Sequence, residues 1–161
     1  MVLKRFIAKT YHEPTGEGAN IDARVRISMQ TEHLGSCLCG TVCFKVTGVF
    51  ERFYLCHCSH CRKDTGSAHA ANLFSSTAKL EWLSGRGHVR TFNLPQTRHV
   101  KCFCTLCGSA LPHVSEQMLV VPAGSLDTGL AVAVDANIFM ASRATWDHDL
   151  ASAPGFETFP S

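Results

Sequence analysis

Hydrophobic and polar residues alternate most cleanly in TVCFKVTG, residues 41–48, where Val42, Phe44 and Val46 fall on one side and Cys43, Lys45 and Thr47 on the other. That period of two marks a strand with one buried face. Shorter extended stretches follow at residues 51–56, 68–74, 78–83, 88–94, 98–103, 117–122 and 130–141, and turn-forming SGRG, NLPQ, PAGS and DTG separate several of them. No segment carries a long, capped helical stripe, so the pattern predicts a mainly β domain of antiparallel strands. Residues 1–34 show no sustained periodicity, and TGEGAN at 15–20 reads as loop. The domain is expected over residues 35–161, with 1–34 as an N-terminal extension that the fold does not need. Met29, just ahead of the first cysteine motif, makes the preceding segment either an upstream extension or a misassigned start.

Composition narrows the class. A chain of 161 residues has the length of one domain and buries roughly 70% of the surface its unfolded form exposes. It is 45% hydrophobic and 17% charged, with a formal net charge of +2, which argues against a disordered chain or a basic nucleic-acid-binding tail and for a small partner. No apolar run approaches the roughly 20 residues that cross a bilayer, and MVLKRFIAKTYHEP is too polar for a secretory leader. A cytoplasmic protein is expected; Lys4, Arg5 and Lys9 with no acid before Glu13 keep a mitochondrial presequence as the alternative.

Nine cysteines in such a chain, with no export signal, point to metal rather than to disulfides. They form three clusters: Cys37 and Cys39; Cys56, Cys58 and Cys61; and Cys102, Cys104 and Cys107, with Cys43 apart. In extended chain, residues two apart share a face, so each C-x-C offers two sulfurs to one ion, and a C-x-x-C turn does the same. Zinc suits soft thiolate donors, and four of them close a structural site. Cys37, Cys39, Cys104 and Cys107 make such a set. Cys56, Cys58 and Cys61 then remain as three protein ligands, the arrangement that leaves a position open for chemistry. Cys102, His57, His60 or His69 would close it. Against this stand plainer readings: Cys43 and Cys102 as buried hydrophobes, His57 and His60 turned away from the ion, Arg62 and Lys63 solvated.

These motifs resemble the family of glutathione-dependent formaldehyde-activating enzymes, which also takes in centromere protein V. The similarity runs through GSCLCGTVCFKV at 35–46, CHCSHCRKDTGSAHAANLF at 56–74, FCTLCGSALP at 103–112, GSLD at 124–127 and SRATWDHDL at 142–150. It implies a β-tent, zinc-ribbon-like fold of folded-over antiparallel sheets around a structural zinc (Zn2+) on Cys37, Cys39, Cys104 and Cys107. It implies a second zinc, catalytic and labile, on Cys56, Cys58 and Cys61. The implied activity is that of a carbon–sulfur lyase run in reverse, joining glutathione and formaldehyde as S-(hydroxymethyl)glutathione. The sequence departs from the family pattern at Cys102, where a non-cysteine residue is expected, and at His69, where an apolar residue is commoner.

In the mechanism this suggests, a substrate thiol takes the open position beside Cys56, Cys58 and Cys61, loses its proton and attacks an aldehyde carbon. His57, His60 or His69 returns a proton to the resulting alkoxide. Arg62, Lys63, Arg98, Lys101 and Arg143 are the candidates to hold the carboxylates of glutathione. Two rivals remain: a non-catalytic zinc module that binds a protein partner, and a redox switch in which Cys56, Cys58 and Cys61 release the ion and form a disulfide. A pocket over the second site, against a surface filled by side chains, tells enzyme from module.

Overall fold

The computed structural model describes residues 31–160. It contains ten strands, β1 (Glu32–Ser36), β2 (Cys43–Thr47), β3 (Arg52–Cys56), β4 (Ala70–Ser75), β5 (Lys79–Ser84), β6 (Val89–Asn93), β7 (Val100–Cys104), β8 (His113–Ser115), β9 (Met118–Pro122) and β10 (Ala136–Ile138), and one short helix, α1 (Ser59–Thr65). The chain is mainly β. The strands form a three-stranded sheet in the order β1-β2-β5, a five-stranded sheet β10-β3-β4-β9-β8, and the hairpin β6-β7. All neighbours are antiparallel except β10, which runs parallel to β3.

The alternation in β2 does what its pattern predicts. Val42, Phe44 and Val46 are fully buried and meet Leu73 of β4 and Leu119 and Val121 of β9 in one core, which Cys102, Cys104 and Leu111 complete. On the other face, Lys45 pairs with Glu32 of β1 at 3.5 Å and Glu81 of β5 at 3.2 Å. Because Phe44 lies opposite Gly35 in the β1–β2 register, a side chain at 35 has no room. A Cβ there would stand 2.3 Å from the Phe44 ring and 2.5 Å from the Ser125 carbonyl oxygen.

Four elements depart from expectation. Strand β1 starts at Glu32, inside the stretch assigned to the extension, and the Thr31 carbonyl accepts a hydrogen bond from Gly48. Residues 1–30 of the expected extension lie outside the described residues. The expected strand over 130–141 contracts to Ala136–Ile138, because Val132 and Val134 are exposed and pair with nothing described. Strand β8 and helix α1 carry no pattern long enough to predict.

Candidate functional site

Each cysteine cluster is positioned by a strand end. Cys37 and Cys39 occupy the connection between β1 and β2, where the Cys37 amide donates to the Val42 carbonyl and the Val42 amide donates to the Cys37 sulfur at 3.2 Å. Cys104 ends β7, and the turn after it brings Cys107 back through the Gly108 amide, which donates to the Cys104 carbonyl at 2.8 Å. The four sulfurs of Cys37, Cys39, Cys104 and Cys107 all lie within 4.8 Å of one another. A tetrahedral zinc with sulfurs at about 2.3 Å needs sulfur–sulfur edges of about 3.8 Å, so the set fits that ion. Cys37 and Cys39 already stand 3.4 Å apart.

The thiols of this set are unequal. Burial pushes Cys37 up to about 11, whereas hydrogen bonds from the Thr41 hydroxyl and amide bring exposed Cys39 down to about 6. The Ser109 amide lowers Cys107. The inequality follows from each sulfur's own burial and hydrogen-bond partners. A bound cation favours the thiolate on all of them.

The second cluster sits where β3 turns into α1. Cys56 is the last residue of β3, Cys58 is the N-cap of α1, and Cys61 lies in its first turn. The expected C-x-x-C knuckle is thus the start of a helix, in which the Cys61 amide donates to the Cys58 sulfur at 3.4 Å. Gly66, with φ of 65°, ends it as a left-handed cap. The three sulfurs lie within 4.8 Å of one another and are free thiols. Burial raises Cys56 and Cys61; at Cys58 burial also pushes upward, but the Cys61 amide and neighbouring sulfurs outweigh it and the thiol is lowered. Cys102 joins neither group.

Over this cluster opens a pocket of about 400 Å³ whose lining includes Cys56 and Cys61. Apolar side chains including Phe74, Val120, Ile138 and Phe139 line it, and Asn72, Arg98, His113 and Cys102 add polar groups. Along one rim the Asp64 carboxylate is bracketed by Lys101, which forms a close ion pair with it, and by His99 at 3.3 Å. Burial lowers the His113 pKa. Burial also holds Cys102 up as a thiol.

The candidate proton donors and cations separate on this geometry. His57 is buried, with Nδ1 2.6 Å from Asp147 Oδ2 and Nε2 3.1 Å from Asn137 Oδ1, and it does not line the pocket. His69 stands beside it at 5.1 Å between ring centroids, with a buried Nδ1 that has no partner among the described residues. His60 is exposed and lies against His99 outside the pocket. Arg98 and Lys101 reach the pocket; Arg62 and Lys63 line a separate small groove with Trp146, and Arg143 bonds to His148. Sequence reasoning missed Asp64, Asn72, His99 and His113. No spacing rule ties these to the cysteines, although period-two alternation along β4 places Asn72 on the face that Ala70 and Cys56 share.

No curated protein matches the chain. Among solved structures, a crystal structure of a Rhodobacter sphaeroides protein is similar to it at 22% sequence identity and a TM-score of 0.48, covering 65% of this chain and 98% of that one. The sequence pattern of the glutathione-dependent formaldehyde-activating enzymes matches residues 32–142, well over half of the chain, and the chain belongs to that family.

Proposed function

We propose that the protein is a zinc-dependent carbon–sulfur lyase-type enzyme acting on a thiol adduct, of which S-(hydroxymethyl)glutathione is the first to test. The observation that carries this reading is the pocket over Cys56 and Cys61. A protein-binding module would need no cavity beside three uncommitted thiols. Cys37, Cys39, Cys104 and Cys107 would hold a closed structural zinc, and Cys56, Cys58 and Cys61 a second one. The second ion, when bound, supplies an open position at which a thiol ionises near neutral pH.

The rest of the chemistry falls to side chains. In the synthetic direction a carbon–sulfur bond forms, the carbonyl electron pair moves to oxygen, and that oxygen takes up the proton the thiol gave up. Asn72 pairs with Tyr54, two residues along from the Cys56–Ala70 pair. It is therefore a diagonal cross-strand neighbour of Cys56 at roughly 7–8 Å, close enough to hold a hydroxymethyl group at the sulfur cluster. The wall of Phe74, Val120, Ile138 and Phe139 excludes water from the adduct. Arg98 offers a carboxylate partner, because Lys101 and His99 are occupied by Asp64.

Cobalt substitution tests this reading. Glutathione added to the cobalt protein should perturb the spectrum of one of two ions, and a chelator should remove that ion first. Cys102→Ser should behave the same way, since Cys102 stands outside the sulfur group. A spectrum indifferent to glutathione in the unmutated protein would refute catalysis through thiol coordination and favour the binding module.

A further inference from the structure

The second cysteine cluster is braced from the far end of the chain. His57 lies between two of its cysteines, and ring and backbone are both held by residues some 80 to 90 positions later. The His57 amide donates to the Ile138 carbonyl at 2.9 Å. Its ring meets Asp147 at 2.6 Å and Asn137 at 3.1 Å. His57 and Asp147 side chains are 5% and 6% exposed. The carboxylate stays in place because the Asp147 amide donates to the carbonyl of buried Ala144 at 3.1 Å, closing a turn. Beside that turn, Trp146 shares a groove with Ser59, Arg62, Lys63, Gly66 and Ser67 along α1. Strand β10 completes the embrace by running parallel to β3, with Ile138 opposite Cys56.

From this geometry we propose that Asp147, with Asn137, is a positioning residue for the second cysteine site: it holds His57, and through His57 the C-x-C backbone, in the geometry that lets Cys56, Cys58 and Cys61 converge on one ion. Alternation turns a strand-end residue away from its two neighbours, so pinning the ring of His57 fixes the opposite-facing sulfurs of Cys56 and Cys58. Partners that orient metal ligands are worth on the order of 10- to 100-fold in metal affinity. Asp147 lies outside residues 32–142, over which the family pattern matches, and within the SRATWDHDL stretch of residues 142–150, so the brace comes from the C-terminal segment. The proposal rests on the reading of the second cluster as a metal site.

The test uses the full chain carrying Asp147→Ala, Asp147→Asn or Asn137→Ala. The first readout is retention of each ion against a chelator, counted by mass spectrometry, with the cobalt spectrum of the second site alongside. The second is the rate at which iodoacetamide alkylates Cys56 and Cys104 once mild chelation has taken the second ion and left the first. The expected result for Asp147→Ala is loss of the second ion at 10- to 100-fold lower chelator and a Cys56 rate at least tenfold higher, with the first ion and Cys104 unaffected. Asp147→Asn, which keeps an acceptor for the His57 ring, should restore most of both. Unchanged retention, cobalt spectrum and Cys56 rate in all three variants would overturn the proposal. If Asp147→Ala exposes Cys104 as much as Cys56, the fold has opened, and Asp147→Asn and exposed Asn137→Ala decide. If the unmutated protein holds no second ion, the lyase reading fails by itself, and the alkylation rates alone decide whether Asp147 positions the thiols.

Discussion

Replacing Cys104 by serine tests the closed site most sharply. Cys104 is completely buried at the end of β7, and its sulfur belongs to the four that converge within 4.8 Å. A structural zinc on four thiolates contributes about 10–16 kcal/mol at pH 7, so one ligand's share is about 3–4 kcal/mol, or two to three orders of magnitude in zinc affinity. The new hydroxyl would be buried among sulfurs, with a further cost of about 1–3 kcal/mol if it finds no partner. Against a total stability of about 5–15 kcal/mol, such a loss should lower the unfolding temperature by on the order of 10 °C or abolish folding. Zinc content by atomic emission and thermal unfolding by calorimetry measure both effects. Cys102→Ser is the control: Cys102 is also buried, two residues away on β7, but it stands outside the cluster. It should keep both ions. A Cys104→Ser protein with full zinc content and unchanged unfolding, or a Cys102→Ser protein that loses as much, would refute the assignment.

The remaining expectations are quicker to state. Burial lowers the His113 pKa below the ordinary 6.5, so the unfolded chain binds the proton more readily, and the stability present above pH 6.5 is lost as pH falls through 6.5 toward the folded value. His113→Gln should therefore flatten the fall in denaturation midpoint between pH 7 and 5, with His33, also lowered by burial, leaving a residual slope; an identical slope in the variant would refute the effect. A chain starting at Met29 keeps all of β1 and should unfold cooperatively at the temperature of the full chain, whereas one starting at Gly35 loses most of the β1–β2 pairing and should be destabilised. Equal unfolding of both, or insolubility of the first, would contradict this.

What could be read from the sequence follows from how local each signal is. Strand β2 was legible because one sheet face is core and the other carries the Lys45 ion pairs, so alternation survives. Strand β4 turns Leu73 into the core and Asn72 and Phe74 toward the pocket, so its two faces do not alternate cleanly between apolar and polar, and it could be read only as a short extended stretch. Val132 and Val134 read as strand yet stay exposed, because a periodic segment needs a sheet edge to join and the edge beside β3 is taken by Ala136–Ile138. For the sites, paired cysteines announced themselves through spacing, and the structure groups the same seven sulfurs. The pocket residues did not, because Asn72, His99 and His113 reach it from three strands or their flanks and owe their meeting to sheet order alone. The same holds for His57 and Asp147, whose contact depends on the chain returning beside β3.

Seven similar sulfurs therefore stand in two different mechanical situations. Cys37 and Cys39 belong to the loop between β1 and β2, and Cys104 and Cys107 to the end of the β6–β7 hairpin, so an ion there joins two separate sheets. It closes a loop of about 65 residues, against about 5 for an ion on Cys56, Cys58 and Cys61, and by the logarithmic dependence of closure entropy the longer loop restrains the unfolded chain by on the order of 2 kcal/mol more. Removing the first ion should weaken the whole fold. Removing the second should cost little global stability, because β3 and α1 adjoin in sequence and the His57 contacts hold their junction without a metal. By this argument the second ion is the one expected to exchange without unfolding the protein, and the proposed Asp147 brace is what should keep the emptied site in shape until the ion returns.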